Sequence, residues 1–87
     1  MNLFRVTVDG QDFSFVCEFK DTRNGFKHEC TCITGINTLA VAKCTYINRT
    51  WERYKFESVL HKTVNAIDKP QEWKDQVKKL LDEQQGC

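Results

Sequence analysis

The feature that most constrains the fold of this chain is a period-two alternation of apolar and polar residues, interrupted by turns that contain glycine. Residues 3–8 alternate in this way, as expected of a strand with one buried face. Asp9 and Gly10 follow at once, and Asn24 and Gly25 close a second polar segment. Both dipeptides are strong hairpin signals because their residues tolerate a positive φ. The first half of the chain therefore predicts antiparallel strands joined by tight turns.

The alternation continues over residues 13–20, 26–32 and 38–46, which gives four strands in total. In the last run both faces are partly apolar, and Lys43 indicates that its own side faces solvent. We therefore predict a four-stranded antiparallel meander that buries one aromatic-rich face. The side chains expected on that face are Phe4, Val6, Val8, Phe13, Phe15, Cys17, Phe19, Phe26, His28, Cys30, Cys32, Ala40, Ala42, Cys44 and Tyr46.

In the second half, the apolar residues recur at spacings of three and four, which is typical of amphipathic helices. Asn48 or Thr50 is the expected N-cap, and Glu52 lies in the first turn, where the helix dipole favours a carboxylate. Pro70 ends the first helix and is expected as the first residue of a second one, whose tail from Gln84 we expect to fray. The stripes expected to face the sheet are Phe56, Val59, Leu60, Thr63, Val64 and Ile67, and then Trp73, Val77, Leu80 and Leu81.

These elements predict an α+β fold of the order ββββαα, in a single domain over residues 1–87, with both helices packed on one face of the sheet. A chain of 87 residues suffices for one core and is too short for two. The opposite sheet face, which carries Arg5, Glu18, Lys27 and Glu29, is expected to stay uncovered.

The balance of charges argues against a general affinity for polyanions or membranes. Thirteen Lys and Arg residues against twelve Asp and Glu residues leave a net charge of +1, so no overall field attracts nucleic acid or an anionic membrane. The N-terminus has neither a basic leader nor a long apolar run, and no later stretch approaches the length of a membrane span. We therefore expect a cytoplasmic protein, a monomer or a homodimer, that does not engage membranes.

The five cysteines are expected to be free thiols in a reducing compartment. His28, Cys30 and Cys32 would project from one side of a strand and could offer one nitrogen and two sulfurs to zinc. Cys17 or Cys44 could supply a fourth ligand. The spacing lacks the C-x2-C knuckle of most zinc sites, and free cysteine is commonly buried. We therefore favour core thiols, keep His28, Cys30 and Cys32 as a weak metal site, and expect no cofactor.

Motifs for catalysis are missing from the sequence. A cysteine nucleophile needs a histidine base, and the two histidines, His28 and His61, fall in the predicted sheet and on the first predicted helix. The chain has no nucleophile elbow, no Gly-rich phosphate loop and no deaminase pattern. We therefore predict no enzymatic activity.

The start of the first helix carries the most suggestive surface. Arg49, Arg53 and Lys55 are interleaved with Trp51 and Tyr54, a mixture of cations and rings that suits backbone tracking and base stacking. Alternatively, the rings pack on the sheet edge while the arginines form salt bridges or caps. We favour this packing, since a nucleic-acid domain of this size is normally more basic. The predicted partner surface comprises Asn48, Arg49, Trp51, Glu52, Arg53, Tyr54 and Lys55.

Residues 46–60 resemble a segment of small uncharacterised proteins of bacteriophages and other bacterial mobile elements. The resemblance rests on the Asn-Arg-Thr-Trp-Glu run at residues 48–52, on the Glu-Ser-Val that follows an aromatic residue, and on residues 21–26 with His28 upstream. It implies a phage or mobile-element setting, in which small proteins often inhibit host defence, anti-CRISPR proteins among them.

The resemblance therefore implies a non-enzymatic protein that binds a bacterial host protein. We predict that it inhibits or modulates a bacterial defence effector, for example a Cas nuclease, in the cytoplasm of the host cell. The alternative is a small RNA- or DNA-binding regulator that uses Arg49, Trp51, Arg53 and Tyr54.

Overall fold

The computed structural model describes residues 2–86, and within them four antiparallel strands form one sheet in the order β1-β2-β3-β4. Two helices follow, the first of them preceded by a short 3-10 turn. The predicted ββββαα order is thereby confirmed. In chain order the elements are β1 (Asn2–Val8), β2 (Gln11–Thr22), β3 (Gly25–Thr34), β4 (Asn37–Tyr46), the 3-10 turn (Arg49–Trp51), α1 (Glu52–Asn65) and α2 (Gln71–Gly86).

Both helices cover the sheet face that the alternation predicts to be buried. α1 packs against β3 and β4, whereas α2 packs against β1. Phe13 and Phe15 lie at the centre of this layer, and the indole of Trp73 meets the Phe13 ring edge to face at 5.1 Å. Full burial of one such large apolar side chain stabilises the fold by about 1.5–3 kcal/mol. The helical residues with no exposed surface in this core are Val59, Leu60, Thr63, Val64, Val77 and Leu81.

The opposite side of the sheet carries no helix among the described residues, as predicted. Leu3, Val16, Thr31 and Val41 stand side by side across the four strands and form a row in which three of the four side chains are apolar. The neighbouring row is charged, and Glu29 contacts one lysine on its own strand and one on β4, at 3.5 Å and 3.6 Å. We call this side the open sheet face.

The helix boundaries differ from the predictions in three places. Asn48 does act as an N-cap, but it caps the 3-10 turn, and α1 begins only at Glu52. Pro70 precedes α2 and its carbonyl accepts from the Lys74 amide, so it stands just before the first helical residue. The tail expected to fray is helical as far as Gly86, and the Gln84 side chain donates to the Arg5 carbonyl; Cys87 lies outside the described residues. Neither helix within residues 2–86 is long and apolar enough to cross a membrane.

Candidate functional site

Asn48 organises the chain where it leaves the sheet for the first helix. Its side-chain oxygen accepts from the Thr50 amide at 2.9 Å and from the Thr50 hydroxyl at 2.9 Å. These bonds close the 3-10 turn over the residues before α1, because the side chain satisfies an amide that has no partner inside the turn. Asn48 therefore positions the predicted partner surface, and its side-chain oxygen is already engaged in hydrogen bonds within the chain.

The Arg49 side chain makes contacts within its own chain. Its guanidinium lies 5.5 Å from the centre of the Phe19 ring and 5.6 Å from that of the Phe26 ring, at which distance a cation is attracted to the ring face. The same side chain lies 3.5 Å from the Glu52 carboxylate. The alternative in which the arginines form salt bridges is therefore right for Arg49, which pairs with Glu52 at the surface.

Trp51 and Tyr54 behave in the opposite way. They are 52% and 60% exposed, so the expectation that they pack on the sheet edge is wrong. Their rings meet edge to face at 5.7 Å, and the Lys55 ammonium lies 5.8 Å from the centre of the Tyr54 ring. Ile47, in the link between β4 and the 3-10 turn, is 84% exposed. Three large apolar side chains at one corner of the molecule thus face solvent, a composition typical of interaction sites.

A groove of about 740 Å³ lies beside these residues. The β2–β3 turn and the end of β4 form its other wall. Gly25 allows the two segments to approach closely, since a Cβ at this glycine would lie 2.5 Å from the Tyr46 carbonyl oxygen. Lys55 is the one charged side chain among the described residues that line it. The lining residues are Thr22, Asn24, Phe26, Thr45, Tyr46, Ile47, Asn48, Trp51 and Lys55.

The predicted partner surface does not form one continuous site. Glu52 and Arg53 line a second cavity of about 380 Å³, together with His28 and Phe56, whereas Trp51 and Lys55 line the groove. Arg53 and Lys55, two cations close together in the sequence, therefore line different cavities. A helix separates them in this way because side chains two residues apart diverge by about 200° around its axis.

Sequence reasoning missed several groove residues, and Ile47 is the one with a detectable signal. It follows the last residue of β4 and precedes the Asn48 cap, so it belongs to neither the strand pattern nor the helical stripe. An apolar residue without a place in either pattern has no reason to be buried. Asn24 and Thr22 join the groove because the antiparallel pairing of β3 with β4 brings the β2–β3 turn next to the end of β4. The predicted meander implies this proximity, but the alternation does not indicate which turn residues line a groove there.

His28 links the sheet to the first turn of α1. Its side chain is 3% exposed, and its Nε2 atom lies 3.1 Å from the Glu52 carbonyl oxygen and 2.9 Å from the Tyr46 hydroxyl. The bond to the Glu52 carbonyl requires a proton on Nε2, in which case the Tyr46 hydroxyl oxygen acts as an acceptor; Nδ1 has no hydrogen-bond partner among the described residues. Burial lowers the pKa of His28, although the bond to Glu52 opposes that shift. A neutral ring in this position is a structural bridge.

The thiols of β2 and β3 are protected from chemistry by burial. Cys30 stands directly opposite Cys17, and this neighbouring thiol together with burial raises the pKa of Cys30. Burial raises the pKa of Cys32 to about 12. Metal ligation and nucleophilic attack both require the thiolate, which such environments disfavour. Across residues 2–86, no three His, Cys, Asp or Glu side chains converge in a way that could hold a metal ion, so the geometry gives the weak site at His28, Cys30 and Cys32 no support.

Comparison with known proteins leaves the site to be interpreted on its own chemistry: no family model, no curated protein and no solved structure matches this chain.

Proposed function

We propose that this chain works without catalysis, by binding another protein at the corner formed by Ile47, Trp51, Tyr54 and the groove beside them. The observation that carries the proposal is the exposure of Trp51 and Tyr54, two large rings in contact with each other and largely in solvent. Tryptophan and tyrosine are the residues most enriched among those that dominate binding energy in protein interfaces. In the free protein these rings expose apolar surface to water, which is unfavourable. A partner that covered them would remove that surface from water.

The partner that we propose is a bacterial host protein of a defence system, such as a Cas nuclease, whose activity the chain would inhibit or modulate by covering a working surface. The support for this setting is the resemblance of residues 46–60 to small phage and mobile-element proteins. The groove and the exposed rings beside it support protein binding in general.

Nucleic-acid binding is the second candidate, since two exposed rings beside Lys55 could stack bases. The other cations oppose it: Arg49 is paired with Glu52, and Arg53 lines a different cavity. The net charge of +1 adds no general attraction for a polyanion. Protein binding therefore has the stronger support.

An affinity pull-down from a bacterial host lysate tests the proposal, with the purified chain as bait and half of the lysate treated with nuclease. We expect a stoichiometric protein in both halves. Recovery of nucleic acid alone, or of proteins only from the untreated half, would overturn the proposal in favour of the second candidate. In that case the affinity for RNA or DNA should fall steeply with salt, and replacement of Arg53 and Lys55 with alanine should lower both the affinity and the salt slope.

A further inference from the structure

We infer that the groove accepts a short acidic and apolar segment of the protein partner, with an apolar side chain against Ile47 and Trp51 and a carboxylate at Lys55. This inference rests on the proposed function, and it adds the chemistry of the segment that is recognised.

The apolar half of this segment follows from the walls of the groove. Ile47 and Trp51 both line it and both keep more than half of their surface in solvent. Phe26, partly buried, closes the same cavity from the sheet. A bulky apolar side chain placed among these three would remove apolar surface from water on every side, which is the main favourable term in association.

The acidic half follows from the charge of the groove. Lys55 is the charged member of its described lining, and no carboxylate among the described residues lies within ion-pair distance of its ammonium. Arg49 differs, because Glu52 lies 3.5 Å away. A carboxylate from the partner would therefore give Lys55 a charge-assisted hydrogen bond that the free protein lacks. A basic segment would meet repulsion at the same place.

The remaining lining suits the backbone of an extended segment. Asn24 in the β2–β3 turn and Thr45 near the end of β4 contribute uncharged polar groups to the lining, and each can both donate and accept a hydrogen bond. Such groups bind peptide amides and carbonyls without a preference for sequence. The sequence preference then comes from the apolar contacts and from Lys55, as in other peptide-binding grooves.

A selection from a random peptide library displayed on phage tests this inference, with the immobilised full chain as target and the Trp51→Ala variant for counter-selection. We expect the enriched peptides to carry an aspartate or glutamate within a few residues of a bulky apolar residue. Synthetic copies of these peptides should bind Lys55→Glu about tenfold more weakly and Trp51→Ala about thirtyfold more weakly. Lys55→Arg should keep the affinity because it keeps the charge.

Lys79→Glu is the matched control, since Lys79 is an exposed lysine on α2, outside the groove; it should leave the affinity unchanged. Enrichment of peptides without acidic residues, equal binding to Lys55→Glu, or preferential binding of single-stranded RNA to the wild-type chain would each overturn the inference. The failure of the proposed function is a different result: there, the pull-down from host lysate recovers no stoichiometric protein. A partner that still binds Trp51→Ala with unchanged affinity would keep protein binding as the function but reject this corner and its groove as the binding site.

Discussion

Trp73 and Trp51 both lie near the start of a helix, but they meet opposite environments. Trp73 is the third residue of α2, packs on the Phe13 ring at 5.1 Å and is 8% exposed. Trp51 ends the 3-10 turn before α1, contacts the Tyr54 ring and is 52% exposed. The same residue type is therefore part of the core in α2 and lies largely in solvent in the turn before α1.

The difference follows from the position of each ring around its helix. Val77 and Leu81 follow Trp73 at intervals of four residues, so all three lie on one stripe that faces the sheet. Tyr54 precedes the partly buried Phe56 by two residues, which places it on the other side of α1. An aromatic residue outside the buried stripe of its helix has no core to join, and Tyr54 is accordingly 60% exposed in the proposed interaction surface.

Replacing the two tryptophans with alanine tests this contrast directly and should give the largest effect. We expect Trp73→Ala to lower the free energy of unfolding by about 3–5 kcal/mol because it leaves a cavity beneath α2. Trp51→Ala should lower it by less than about 1 kcal/mol, because much of the ring is already in water. Chemical denaturation measures both. Equal losses for the two variants would show that Trp51 belongs to the core.

Gly25 offers a second comparison, since it lies against the backbone of Tyr46 and Ile47, two residues that line the groove. It has a φ of 137°, and a Cβ there would meet the Tyr46 carbonyl oxygen. Gly25→Ala should therefore lower the free energy of unfolding by about 1–3 kcal/mol from backbone strain, with a further loss from the steric clash. Gly35→Ala is the control, because Gly35 also has a positive φ but nothing within 4 Å of its Cβ position. If both variants lose the same stability in thermal unfolding, the close approach of the β2–β3 turn to β4 makes no separate contribution to the loss.

His28 should make the free energy of unfolding depend on pH, because it is buried between the sheet and α1. Its pKa lies below its ordinary value of 6.5, so the unfolded chain binds this proton more readily than the folded one. Stability is then complete above about pH 6.5 and falls as the pH drops below it, by at most about 1.4 kcal/mol per pH unit. Chemical denaturation at several pH values between pH 7 and pH 5 measures this slope, which corresponds to the uptake of about one proton at most when the chain unfolds.

Two further measurements make the assignment to His28 specific. His28→Gln should flatten the slope. The NMR signal of the His28 ring in the wild-type chain should titrate below pH 6.5. Titration of that ring at or above this value would contradict its burial as a neutral bridge.

The buried thiols should show the smallest effects of all. In a Cys87→Ser background, we expect Cys17, Cys30 and Cys32 to resist a thiol reagent until the chain unfolds, and the partly exposed Cys44 to react first. Excess EDTA should leave the melting temperature unchanged, since the described residues offer no cluster for a metal ion. A melting temperature that EDTA lowers would restore the zinc site at His28, Cys30 and Cys32.

The sheet could be predicted from the sequence because its signals are local. The alternation in each strand and the turns at Asp9–Gly10 and Asn24–Gly25 depend on neighbouring residues only. Lys43 was enough to choose the buried face of β4, where Ala40 and Tyr46 are buried as expected. The one irregularity in the pairing, a shift between Cys32 and Ile33, left no trace in the alternation.

The candidate site could be predicted only in part, since its geometry depends on contacts between distant segments. The sequence identified Trp51 and Lys55, which line the groove, and Tyr54, whose ring contacts Trp51 beside it, but the strand alternation does not indicate that Asn24 joins the lining. It also grouped Arg53 with these residues, although that side chain lines the other cavity. Whether a ring near a helix start is buried depends on where the helix begins, and helix boundaries are fixed by caps and packing together.

The affinity of the captured partner for three chains tests the central claim most directly: the wild type, Trp51→Ala and Leu3→Ala, measured by isothermal titration calorimetry. Leu3→Ala is the matched control because Leu3 is exposed to a similar extent on the open sheet face. We predict that Trp51→Ala weakens binding by about thirtyfold with its stability retained, and that Leu3→Ala binds like the wild type. Unchanged affinity in Trp51→Ala, with a loss in Leu3→Ala, would contradict the claim and assign the interface to the open sheet face.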